Sequence, residues 1–145
     1  MKLEDQVTSL ELSKKLKELG VKQESVFYWQ PKGLELGKWV VKESGWKNKP
    51  EGVYDVSAFT VAELGEMLPQ YIRIQHGRIK KKRDFHLYMS KCWKGDGRYY
   101  VGYMVLSGDE PDFTLCAELN TEANARAKCL IYLIENKLIK LKENQ

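Results

Sequence analysis

Apolar and polar positions along the chain alternate with two periods, and the switches between them mark the elements. Leu12, Leu16 and Leu19 fall on one helical face while Lys14, Lys15 and Lys17 fall on the other. Thr8-Ser9-Leu10-Glu11 before them has the form of a capping box, with Val7 and Leu12 placed as a hydrophobic staple. Gly20 supplies a left-handed stop. The pattern predicts a helix over 8–19. Thr60-Val61-Ala62-Glu63 repeats the device, with Val61, Leu64 and Leu68 as the apolar stripe. Pro69 ends this second helix, predicted over 60–68, because the residue before proline disfavours helical geometry. A third helix over 121–137 starts at Thr121 and carries Ala123, Ala127, Leu130, Ile131, Ile134 and Leu138 on one broad face.

Between the helices the period drops to two. Val26-Phe27-Tyr28-Trp29 and Lys38-Trp39-Val40-Val41 read as a hairpin, and 43–53 as a loop. Tyr71 to Ile74 reads as a short strand and Phe113 to Leu119 as an edge strand or an extended segment. A longer antiparallel hairpin is predicted near 84–106 around Asp96-Gly97, taken as a two-residue type I′ turn. That turn pairs Trp93 with Tyr100, Met89 with Met104 and Leu87 with Leu106 on the core side. It leaves His86, Tyr88, Ser90, Cys92, Tyr99, Val101 and Tyr103 on a tyrosine-rich second face. The expected architecture is therefore α+β. An antiparallel sheet carries three helices mainly on one face, in the order α-β-β-α-β-β-α, within one domain spanning 1–145.

Composition narrows the function classes. With 43% apolar and 30% charged residues the chain has the balance of a globular protein. It has no apolar run near the roughly 20 residues of a membrane helix. Glu4 and Asp5 stand where a signal peptide would need its apolar core. A cytoplasmic protein with no membrane partner is expected. Cys92, Cys116 and Cys129 lack CxxC spacing and are expected to be reduced and dispensable.

Enzyme chemistry is poorly supplied. The two histidines, His76 and His86, accompany no GxSxG elbow. His86 and Cys92 share a strand face but lie about 20 Å apart at roughly 3.3 Å per residue, too far for nucleophile and base. No HExxH, EF-hand loop, P-loop or GxGxxG is present. Asp109, Glu110 and Asp112 read as a solvated turn. No metal or cofactor is expected.

The net charge is only +4, but its distribution is uneven. Arg78-Ile79-Lys80-Lys81-Lys82-Arg83 places five cations in six residues and runs into the strand bearing His86 and Tyr88. Such a cluster attracts phosphate-bearing anions and releases counterions on binding. Arg78, Lys80, Lys82 and Arg83 are the candidate phosphate contacts, and Tyr88 or Tyr103 the candidate base or sugar contact. A solvated charged loop guarding a sheet edge is the competing structural reading. Trp46, in a polar loop beside Lys47 and Lys49, is a candidate anchor for a protein partner.

The segments LEDQVTSLELSKKLKELGVKQESVFYW, SAFTVAELGEMLP and TEANARAKCLIYLIENKLI resemble small proteins encoded by bacteriophages and prophages. The resemblance implies an accessory protein acting inside a bacterial host cell, with no functional residues to carry over. The leading expectation is a non-enzymatic binder of a phosphate-bearing ligand that counters host defence. A nucleotide signal is preferred to nucleic acid, because the basic run is too compact to follow a long backbone. The alternatives are a protein–protein module acting on a host factor through Trp46, and a phosphodiesterase using His86.

Overall fold

The computed structural model describes residues 1–43, 55–75, 82–91, 97–107 and 110–141. After a 3-10 turn over Leu3–Asp5 come helix α1 (Leu10–Glu18) and strands β1 (Phe27–Pro31), β2 (Trp39–Glu43) and β3 (Val56–Ser57). Helix α2 (Val61–Met67) follows. Then come β4 (Tyr71–Ile74), β5 (Arg83–Lys91), β6 (Tyr99–Ser107), β7 (Glu110–Leu119) and helix α3 (Glu122–Glu135). The α+β class agrees with the sequence expectation. The strands, however, divide into two antiparallel sheets, ordered β2-β1-β3 and β4-β5-β6-β7.

The α2 start behaves as its sequence reads. Thr60 Oγ1 accepts from the Glu63 amide at 3.3 Å, and Glu63 Oε2 accepts from the Thr60 amide at 2.7 Å. The matching motif at Thr8 does not cap α1. Val7 forms a β-bridge with Thr60, and the Thr8 amide donates to the Phe59 carbonyl at 2.9 Å. This draws Thr8 fully inside, where its hydroxyl accepts from the Phe59 amide at 3.0 Å and lies 2.6 Å from the Ser13 hydroxyl. Ser9 takes over as N-cap, so the cap of α1 sits one residue later than expected.

Helix α3 is the hub of the core. It packs on β6 and β7 and against α1 and α2. Being flanked on both sides, it buries Ala125, Cys129 and Leu133 as well as Ala123, Ala127, Leu130 and Ile131. The small alanines permit close approach, and the Asn124 Oδ1 accepts from the Ser9 amide at 2.7 Å, tying the starts of α1 and α3.

The long hairpin has a different register from the expected one. Leu87 lies opposite Tyr103, Met89 opposite Val101 and Ser90 opposite Tyr100. Among the described residues the pairing runs as far as Lys91 and Tyr99, a register that a two-residue Asp96-Gly97 turn would not set. Trp93 itself lies outside the described residues. The slip is odd, so it turns β6 over. Phe85, Val101 and Tyr103 are buried against the helices with Ile72 and Ala117. Tyr99, Val101 and Tyr103 are thereby corrected from the outer face to the core side.

Candidate open-sheet binding face

Among the described residues the helices cover one side of the four-stranded sheet and leave the other uncovered. Alternation from buried Ile72 and Phe85 places Tyr71 and Arg73 of β4 on the uncovered side. Asp84, His86, Tyr88 and Ser90 of β5 join them, with Tyr100 and Met104 of β6. Tyr71 is 55% exposed and Tyr88 37%. Tyr71 pairs across the strands with His86, and their rings stand 6.1 Å apart, tilted by 44°. One residue pair on, Arg73 grips Asp84 with two bonds, Nε to Oδ1 at 2.6 Å and Nη2 to Oδ2 at 3.0 Å. The hydrogen bond from Arg73 holds the Asp84 carboxyl below its ordinary range, and the same bond raises the guanidinium. At the other end Arg98 Nη1 donates to Glu118 Oε1 at 2.7 Å. The face is therefore an aromatic centre flanked by two neutralised ion pairs.

The expected ligand residues are distributed unevenly about this face. Tyr88 lies on it. Lys82 is exposed just before β5. Arg83 opens β5 opposite Ile74, and its parity with Phe85 turns it toward the helix side. Arg78 and Lys80 lie outside the described residues, as does Trp46. Tyr103 is fully buried, and its hydroxyl donates to the Pro69 carbonyl at 2.7 Å, so it is not available to a ligand. Burial pushes its phenol well above the ordinary range. Cys129 is a buried thiol.

Tyr71, Arg73 and Tyr100 are members of the face that the sequence reading did not nominate. The alternation Tyr71-Ile72-Arg73-Ile74 is the signal that identifies the first two.

A separate cleft of about 520 Å³ opens on the helix side between the starts of α2 and α3. Among the described residues Phe27, Val61, Thr121 and Tyr99 line it, with the acids Asp5 and Glu122 and no lysine or arginine. Its charge suits phosphate poorly. Among the described residues no group of three or more His, Cys, Asp or Glu side chains is arranged to hold a metal ion. Comparison with known proteins gives no match to a family model, a curated protein or a solved structure.

Proposed function

We propose that this chain is a non-enzymatic binder of a phosphate-bearing ligand, and that the ligand is a nucleic-acid single strand lying across the open face of the four-stranded sheet. One observation carries the reading: Tyr71, His86 and Tyr88 present exposed rings on adjacent strands, with Lys82 at the entry to β5. Base–aromatic stacking contributes about 1–3 kcal/mol per base and tolerates any base. Lys82 and the basic run it belongs to supply the attraction for phosphates.

The openness of the face among the described residues favours a strand over the free nucleotide signal preferred from the sequence. A small ligand gains affinity by having roughly 70–90% of its surface enclosed. An open sheet offers no such enclosure, but it can add stacking contacts along a polymer. In the bacteriophage setting implied by the sequence resemblance, such binding would act on nucleic acid inside the host cell.

Fluorescence anisotropy with labelled oligo-dT and oligo-rU, and with a cyclic dinucleotide as comparison, tests the proposal. Tyr71→Ala and Tyr88→Ala are each expected to weaken oligonucleotide binding at least fivefold, the low end of one stacking contact. Lys82→Gln should make the salt dependence shallower. Absence of oligonucleotide binding at low salt, where attraction is strongest, refutes the proposal. Tight binding of the cyclic dinucleotide alone would restore the nucleotide reading in its place.

A further inference from the structure

The hairpin joining β1 to β2 ends in Lys32-Gly33-Leu34-Glu35-Leu36-Gly37-Lys38. Leu34 and Leu36 are 103% and 101% exposed, so neither side chain packs on the protein. The Lys32 amide donates to the Lys38 carbonyl at 2.8 Å, closing the base of the tip. Gly33 and Gly37 turn the chain at the two shoulders with φ of +52° and +79°. Glu35, between the leucines, is paired with Lys38 Nζ at 2.7 Å. Directly below, Pro31 pairs with Trp39, and Lys14 Nζ stands 4.6 Å from the Trp39 ring. The leucines are thus outermost, and lysines and a tryptophan form the next level.

We propose that this tip docks on an anionic phospholipid surface, the leucines entering the acyl boundary and Lys32, Lys38, Lys14 and Trp39 lying among the headgroups. The layering matches the depth profile of a bilayer interface, where tryptophan gathers and lysine remains with the anionic charge. From Pro31 to Leu34 the chain reaches at most about 10 Å, comparable to the roughly 5–10 Å by which interfacial segments are immersed. A protein cleft is the poorer match, because leucine is under-represented among interface hot spots and lysine is depleted from interface cores. No helix among the described residues is long and apolar enough to cross a membrane. The sequence expectation of no membrane partner rested on that kind of segment, and tip insertion does not require one.

Co-sedimentation with sucrose-loaded vesicles of phosphatidylcholine, with and without phosphatidylglycerol, reads the interaction. The protein should sediment with the anionic vesicles and much less with the neutral ones. Replacing both leucines (Leu34→Ser with Leu36→Ser) should weaken binding at least tenfold and leave the melting temperature unchanged, since both side chains are fully solvated. Lys32→Gln should cost about fivefold. Tyr88→Ala should bind vesicles like the unmodified protein, which separates the tip from the sheet face. The proposal is overturned if the unmodified protein ignores anionic vesicles at low salt. It is equally overturned if the double leucine variant binds them as well as the unmodified protein. A stoichiometric protein complex lost in that variant, with no vesicle binding, would assign the tip to a protein cleft instead.

Discussion

Glu63 joins α2 to the three-stranded sheet, and replacing it with alanine tests how much that junction contributes. Its Oε2 accepts from the Thr60 amide at 2.7 Å and from the hydroxyls of Thr60 at 2.8 Å and Ser25 at 3.0 Å. Its Oε1 accepts from the Val26 amide at 3.0 Å, where β1 begins. These bonds are not equal in weight. Val26 is 49% exposed, so water replaces the carboxylate there. The Ser25 hydroxyl also lies 3.0 Å from the Ala58 carbonyl and can turn fully to it. The half-buried Thr60 amide has no such substitute, and a hydrogen bond to a charged acceptor contributes about 1.5–3 kcal/mol. The better helix propensity of alanine returns a few tenths of a kcal/mol. The expected net loss is about 1–2.5 kcal/mol. At about 3 °C per kcal/mol for a chain of this size, the melting temperature falls by roughly 3–8 °C. Urea unfolding should show a lower midpoint with an unchanged slope. Glu66→Ala, at an exposed site on the same helix, controls for propensity and should stay within about 0.5 kcal/mol of the parent. If the two alanine variants unfold within about 0.5 kcal/mol of each other, the junction argument is wrong.

Tyr103→Phe orphans the Pro69 carbonyl and should cost about 1–3 kcal/mol while leaving oligonucleotide binding intact. Because the folded phenol is raised above its unfolded value, its stabilisation is full below the unfolded pKa near 10 and is lost as pH climbs toward the folded one. Alkaline unfolding followed by circular dichroism should therefore be less steep in pH for the phenylalanine variant, and equal slopes would contradict the burial. Cys129, at 3% exposure, should be alkylated by iodoacetamide only on unfolding. Mass-spectrometric detection of rapid labelling at that residue in native buffer would show that α3 is not seated as described.

The elements that the sequence revealed are those whose determinants lie within a few residues. Thr60 and Glu63 cap α2 as read because both partners sit in the same turn. Thr8 carries the same local motif, but its hydroxyl is used across the fold by Phe59, a contact that no neighbouring residue announces. The β5–β6 register departs from the sequence expectation for a different reason. On β6 both phases are apolar or aromatic: Tyr99, Val101, Tyr103 and Val105 in one, Tyr100, Gly102 and Met104 in the other. Alternation alone therefore could not choose a face, and Asp96-Gly97 decided the register by itself. Gly102 was the overlooked clue, since a core row seldom contains a gap at its centre. The open face was half legible. Tyr88 followed from β5, whereas Tyr71 and Arg73 required treating Tyr71 to Ile74 as a full partner of β5.

Placing so much of the core on α3 also fixes the timing of folding during synthesis. The sheet side that carries Phe85, Val101 and Tyr103 is complete in sequence before the helix that covers it has been made. At roughly 5–20 residues per second, the interval between translating Tyr103 and translating Leu130 is roughly 1–5 seconds. Once Tyr103 has been made, the nascent chain carries an apolar sheet face with no helix α3 to cover it. A ribosome stalled before residue 122 would present this face to chaperones and proteases, so early termination should yield rapid clearance or aggregation rather than a shortened folded protein.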